Sequence, residues 1–96
     1  MEDEYKEAVT RFYELYHPLA KAYNLRIHTK FSIYEEGLIE IHQYFGEKRI
    51  AQVVKITEEN PTMCYKMATK ALEEFKKRME DAADEVYRNN KERKIC

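Results

Sequence analysis

Alternating apolar and polar residues between positions 25 and 57 predict three consecutive β-strands. A hairpin loop at Glu35-Glu36-Gly37, with its glycine in the left-handed conformation, would place Ile33 opposite Ile39. A second loop at Gly46-Glu47-Lys48-Arg49 continues the same alternation, so both hairpins share one apolar face. The pattern therefore predicts an antiparallel meander. Its expected inner face consists of Ile27, Phe31, Ile33, Ile39, Ile41, Phe45, Ile50, Val54 and Ile56.

Helical periodicity flanks the strands on both sides. Residues 3–23 carry apolar side chains at three- and four-residue steps, although Pro18 predicts a kink or a short break. Asn60 is a good helix N-cap, and Pro61 suits the first helical position. The second helix is predicted to run for about 28 residues, or ~42 Å, whereas strands of about eight residues span ~27 Å. The chain is therefore predicted to be an α+β protein of order αβββα, with both helices packed on one face of the sheet.

The second helix is expected to extend past the sheet with one apolar side still uncovered. The first helix or a second copy of the chain could cover that side, and a second copy would do so as a two-fold dimer. The residues expected to take part in this self-association are Met79, Ala83 and Val86.

The outer face of the predicted sheet mixes charged, aromatic and histidine side chains. Tyrosine and histidine on an open sheet can stack against a base or fill a pocket of a partner. A merely solvated face is the alternative, because antiparallel sheets commonly leave one side wet. The residues expected to bind a partner are Arg26, His28, Lys30, Glu40, His42, Tyr44 and Lys55.

Metal-binding and catalytic patterns are weaker. His28, His42 and Glu40 share the outer face, but they lack the ligand spacing of specific zinc motifs, and we expect no metal site. Cys64 falls in the first turn of the second helix, where the helix dipole can lower a thiol pKa, yet it also continues the apolar stripe. That position favours a buried structural thiol. The chain has two glycines, both assigned to turns, so we expect no phosphate loop, no cofactor and no enzyme activity.

Length, charge and cysteine content set the remaining limits. The 96 residues predict one α+β domain over 1–90, followed by a polar, basic C-terminal tail over 91–96. The net charge of −1 argues against a nucleic-acid footprint over the whole molecule. Two cysteines suggest no disulfide framework, and the sequence shows no signal peptide or long apolar run. We therefore expect a cytoplasmic location and no membrane role.

The order helix–three strands–helix is that of the double-stranded RNA-binding domain, and Lys66-Met67-Ala68-Thr69-Lys70-Ala71-Leu72 resembles the second helix of that family. The resemblance implies binding to RNA. The chain departs from the family where that helix begins. The family has clustered lysines aimed at phosphates there, whereas this chain has Asn60-Pro61-Thr62-Met63-Cys64, preceded by Glu58 and Glu59. Two glutamates at that point would repel an RNA backbone.

The sequence as a whole predicts a small, non-enzymatic protein-binding module. Its composition is compatible with a bacterial or phage regulator or inhibitor that acts by stoichiometric binding. The expected partner is a protein, and the chain is expected to form a homodimer. RNA binding is the alternative.

Overall fold

A computed structural model describes the backbone of residues 2–95 and the side chains of residues 3–89. The elements follow in the order α1 (Glu2–Tyr23), β1 (Leu25–Lys30), β2 (Gly37–Phe45), β3 (Lys48–Glu58) and α2 (Pro61–Ile95). The three strands form one antiparallel sheet in the order β1-β2-β3. Helix α1 contacts α2 and β1, and α2 contacts β2 and β3. The predicted α+β architecture, with both helices on one face, is confirmed.

The hydrophobic core lies between the sheet and the two helices. Ile39 and Ile41 of the central strand are fully buried, and so are Phe12 of α1 and Leu72 of α2. Full burial of one such side chain stabilises the fold by about 1.5–3 kcal/mol. The remaining buried members of this single cluster are Ala8, Tyr16, Leu19, Leu25, Val54, Cys64, Tyr65, Ala68 and Phe75.

The pairing of β2 with β3 follows the predicted register over its helix-covered half. Ile39 lies opposite Ile56, and Ile41 lies opposite Val54, as predicted. Nearer the turn, β3 has an unpaired residue at two points, Val53 and Ile50, where the register shifts. Such β-bulges add a residue to one strand and increase its twist.

The second loop is correspondingly shorter than predicted. It is a two-residue turn, Gly46-Glu47, with Gly46 at a φ of 63°. Phe45 therefore lies opposite Lys48 and not opposite Ile50. Phe45 is 80% exposed and Ile50 is 54% exposed, so their assignment to the buried inner face was wrong.

The pairing of β1 with β2 differs from the prediction by four residues. β1 ends at Lys30, residues 31–36 form the connection, and Thr29 lies opposite Ile39. A four-residue offset preserves the alternation of faces, so Ile27 still points inward and lies opposite Ile41. Ile33, which the prediction placed opposite Ile39, is 89% exposed.

Phe31, which was predicted on the inner face of the sheet, lies in the connection that follows β1. Its ring leaves the sheet and stacks on Tyr65 of α2, with the centroids 5.6 Å apart and the planes at 24°. Gly37 is a strand residue here and not the left-handed residue of a tight loop. A Cβ atom at Gly37 would lie 2.6 Å from the Phe31 ring and 3.1 Å from the Glu58 carbonyl oxygen. The glycine therefore makes room for the Phe31 ring.

Helix α1 runs through Pro18 without the break that the sequence suggested. Pro18 has no N–H to donate to the Glu14 carbonyl. Glu14 and Pro18 are both exposed, so water can reach that carbonyl instead. The helix ends at Tyr23, and the next residue, Asn24, adopts a left-handed φ of 57°. Asn24 Nδ2 donates to the Tyr44 carbonyl at 2.9 Å, and Tyr44 N donates to the Asn24 carbonyl at 3.0 Å. These bonds fasten the α1–β1 junction to the end of β2.

The start of α2 is capped as predicted. Asn60 Oδ1 accepts from Met63 N at 3.2 Å, and the Asn60 carbonyl accepts from Cys64 N at 3.0 Å. Cys64 is fully buried, and its Sγ lies 3.9 Å from the Ile56 carbonyl oxygen. Burial raises the pKa of the Cys64 thiol, with a smaller contribution from the Glu58 carboxylate. The prediction of a structural thiol is confirmed.

An aromatic cluster joins the two helices around Tyr65. Its ring contacts Phe12 and Tyr13 of α1, at centroid distances of 5.4 and 6.2 Å, and also the ring of Phe31. Burial is the main cause that raises the pKa of the Tyr65 phenol well above its usual range, and the neighbouring Tyr13 adds to it. Burial raises the pKa of Tyr16 as well.

The protein is expected to lose stability above about pH 10, where free tyrosine ionises. The unfolded chain releases these phenol protons near that pH, while the folded chain still holds them, so the unfolded state binds fewer protons and the free energy of unfolding falls. Urea unfolding followed between about pH 8 and pH 11 measures the slope. Tyr65→Phe should make the loss shallower. Equal slopes for the two proteins would contradict this assignment.

Candidate functional site

The open sheet face is the side of the sheet turned away from the helices. Its positions alternate with the buried residues of β2 and β3, and the pairing brings all seven predicted binding residues to this side. Arg26 lies opposite His42, His28 opposite Glu40, and Glu40 in turn opposite Lys55. The residues of the open sheet face are Arg26, His28, Lys30, Leu38, Glu40, His42, Tyr44, Arg49, Gln52, Lys55 and Thr57.

His42 was expected to present its ring to solvent, but the structure buries it. The residue is 9% exposed, and its Nε2 lies 3.4 Å from Glu40 Oε2. Its cross-strand neighbours, Arg26 and Gln52, lie on either side of it. Long side chains on a twisted sheet can cover a shorter one between them. His42 therefore orders the Glu40 carboxylate and is not an exposed contact residue.

Tyr44 and Arg26 form a pair on the same face. The Arg26 guanidinium lies 4.2 Å from the centroid of the Tyr44 ring and donates from Nη2 to the Gly46 carbonyl at 3.4 Å. Such a cation–π contact contributes about 0.5–1 kcal/mol at an exposed site. One side of the Tyr44 ring is thus occupied, and the pair holds a positive charge at the hairpin end of the sheet.

Arg49 belongs to the open sheet face but was missed in the sequence. The predicted four-residue loop included it, whereas the structure places it in β3, opposite Tyr44. Glycine followed by one polar residue is the order that two-residue turns of type II′ favour, with glycine first. A loop restricted to Gly46-Glu47 would have brought Arg49 into the strand.

The open sheet face carries an excess of positive charge. Arg26, Arg49 and Lys55 are exposed, while the side chain of Glu40, which lies opposite Lys55, is only 23% exposed. Lys30, at the far edge, is partly neutralised by Glu35, at an Nζ–Oε2 distance of 3.2 Å. Three exposed cations and one recessed carboxylate give this side of the sheet a positive potential.

Neither a metal-binding cluster nor a membrane-spanning helix is found among the described residues. Within that part of the chain, no group of three or more histidine, cysteine, aspartate or glutamate side chains is arranged to hold a metal ion. His28, Glu40 and His42 are neighbours on the open sheet face, but they do not form such a group. In the same residues, neither helix has a stretch apolar enough to span a bilayer.

The residues predicted for self-association lie along α2 but differ in exposure. Met79 is partly buried against the core, whereas Ala83 is exposed and Val86 is 59% exposed. The tail predicted over 91–96 is helical in its backbone as far as Ile95, and its side chains lie outside the described residues.

Comparison of the chain with protein-family models, with curated proteins and with solved structures finds no match. What the protein binds is therefore inferred from the geometry and charge of the open sheet face.

Proposed function

We propose that this protein is a small binding module that captures an acidic surface of another protein on its open sheet face. The observation that carries the proposal is the charge of this face, where three cations, Arg26, Arg49 and Lys55, are exposed and the Glu40 carboxylate is recessed. Charges held on strands are better ordered than charges on loops. They suit a partner with carboxylates at a matching spacing, since opposite potentials across an interface speed encounter and set register.

The module is proposed to act by stoichiometric binding, as a regulator or inhibitor, and not by turnover. Cys64 is buried and its thiol pKa is raised, so it does not offer a reactive thiolate. Ser32 is exposed, and its Oγ accepts a hydrogen bond from Tyr34 N in the β1–β2 connection. This contact is that of a local turn and not of a serine next to a general base.

RNA is the second candidate partner, favoured by the same excess of positive charge. Three features favour a protein instead. The Arg26 guanidinium already covers one side of the Tyr44 ring, which reduces the surface on which a base could stack. Glu40 lies in the middle of the face, and Glu58 and Glu59 precede α2. Carboxylates at these positions would repel phosphates.

The test is affinity capture from the native host, with and without nuclease, followed by calorimetric titration of the purified partner. We expect a protein to be retained after nuclease treatment and to bind in one defined stoichiometry. The double variant Arg49→Glu/Lys55→Glu should weaken that binding at least about tenfold, because the reversed charges would meet carboxylates across the interface.

A matched control reverses two exposed lysines of the helical layer, Lys6→Glu/Lys70→Glu. This variant undergoes the same change in net charge on the other side of the molecule, so its affinity should equal that of the wild type. Equal loss in both variants would contradict the assignment to the open sheet face. Loss of all captured material after nuclease treatment would favour RNA over a protein.

A further inference from the structure

The C-terminal half of α2 extends away from the rest of the molecule. Met79 is the last residue of α2 that packs against the core, and every residue from 80 to 89 is exposed. The helical backbone continues to Ile95, so this extension is ~24 Å long at 1.5 Å per residue. It accounts for the elongated shape of the molecule, which measures 61 Å along its longest axis and 29 Å across.

The extension has an apolar side without a cover in the described residues. Ala82 and Ala83 lie three and four residues after Met79, and Val86 lies four and three residues after them, which is the spacing of a helix-packing stripe. Val86 is 59% exposed, and its neighbour Tyr87 is 68% exposed. The extension therefore offers a narrow seam suited to one additional helix.

The charges along the extension are divided into two blocks of opposite sign. The segment 80–85 contains four acidic residues and no basic residue, while the segment 88–94 contains four basic residues and one acidic residue. Within the first block, Glu80 and Asp84 are four residues apart, and so are Asp81 and Glu85. Like charges at that spacing destabilise an isolated helix. Among the described ion pairs, the acidic block makes a single one, Lys76–Glu80 at 4.0 Å.

This division of charge identifies the occupant of the seam. Two parallel copies of the extension would place acidic block on acidic block. Two antiparallel copies would place each acidic block beside the basic block of its partner. The blocks are centred near positions 82 and 91, so the axis relating the two copies would pass close to Tyr87, where the apolar residues of the described extension are most exposed.

We propose that two copies of this chain associate through antiparallel pairing of their α2 extensions, with the two-fold axis beside Val86 and Tyr87. An interface of this kind is isologous, because the same surface of each copy takes part. The proposal is independent of the open sheet face, and its test uses none of that face's residues.

The first experiment measures mass by light scattering over a range of concentrations. The wild type should have twice the chain mass of 11.6 kDa. The variant Glu80→Lys/Asp81→Lys/Asp84→Lys/Glu85→Lys has two basic blocks and should be monomeric. The variant Arg88→Glu/Lys91→Glu/Arg93→Glu/Lys94→Glu has a wholly acidic extension and should also be monomeric.

Mixing the two variants should restore a dimer, which would show that neither variant had simply unfolded. A wild type that remains monomeric up to millimolar concentration would overturn the proposal and leave the seam to a different protein. Variants that stay dimeric separately would overturn it too.

The orientation is tested by disulfide formation in a Cys96→Ser background, in which the remaining Cys64 is buried. Antiparallel pairing predicts a mixed disulfide between an Ala82→Cys chain and an Arg93→Cys chain. A parallel pair would instead link two Ala82→Cys chains to each other, since like positions would then lie side by side. Predominant linkage of that second kind would refute the antiparallel arrangement.

Discussion

Replacing Phe12 with alanine is expected to destabilise the protein by about 3–5 kcal/mol, because a large ring is removed from a fully packed site. Phe12 is fully buried. Its ring packs edge-on against Tyr65 of α2 and stacks on Tyr16 within α1, at centroid distances of 5.4 and 5.8 Å. A domain of this size has only about 5–15 kcal/mol of total stability, so the loss is a large fraction of it.

Phe45→Ala is the matched control for that variant. The same side chain is removed, but Phe45 is 80% exposed at the hairpin end of the sheet, and the change should alter stability by less than about 0.5 kcal/mol. Urea unfolding monitored by circular dichroism gives both values. A large effect at Phe45 would indicate that this ring is covered in solution, as the sequence pattern predicted.

Ile39→Ala is expected to cost about 2–5 kcal/mol, as is typical of a buried isoleucine truncated in a core. Ile39 is fully buried on β2, between Thr29 of β1 and Ile56 of β3. Removal of its outer carbon atoms would leave a cavity under both helices, and the packed neighbours can close it only in part. Chemical denaturation reports the loss as a lower midpoint at unchanged slope.

Ile33→Ala distinguishes the two possible registers of β1 and β2. Ile33 would lie opposite Ile39 if the strands met at a tight loop, and both truncations would then have similar costs. In the structure Ile33 is 89% exposed in the connection between the strands, so its truncation should be nearly neutral. Comparable destabilisation by the two variants would show that the longer pairing forms in solution.

Features of the fold that depend on residues close together in the sequence were predicted best. The Asn60 cap and the apolar stripe of α2 are local, and both were predicted correctly. Alternation excludes a slip of one residue between β2 and β3, because that slip would turn the apolar set outward. The predicted pairs Ile39–Ile56 and Ile41–Val54 occur because the two bulge residues of β3 compensate for a loop that was predicted two residues too long. The two bulges of β3 could not be derived in this way, since each bulge is a local departure from alternation.

The sequence predicted which residues lie on the open sheet face better than it predicted how exposed they are. Side-chain alternation brought all seven expected residues to one side, and it survives a shift of four residues because the period is two. Alternation cannot predict that Arg26 and Gln52 flank His42, or that His42 meets Glu40 at 3.4 Å. Arg49 was not predicted on this face because the turn between β2 and β3 was expected to have four residues and has two.

Sequence by itself determined the element order, the two faces of the sheet and the excess length of α2, since each follows from the period of apolar residues along a single segment. Only the tertiary structure decided where β1 stops. Phe31 stacks on Tyr65, 34 positions away, instead of extending the strand, and Gly37 leaves room for its ring because it has no Cβ atom. A competition between distant partners leaves no periodic trace in the chain, and for that reason the structure was required to resolve it.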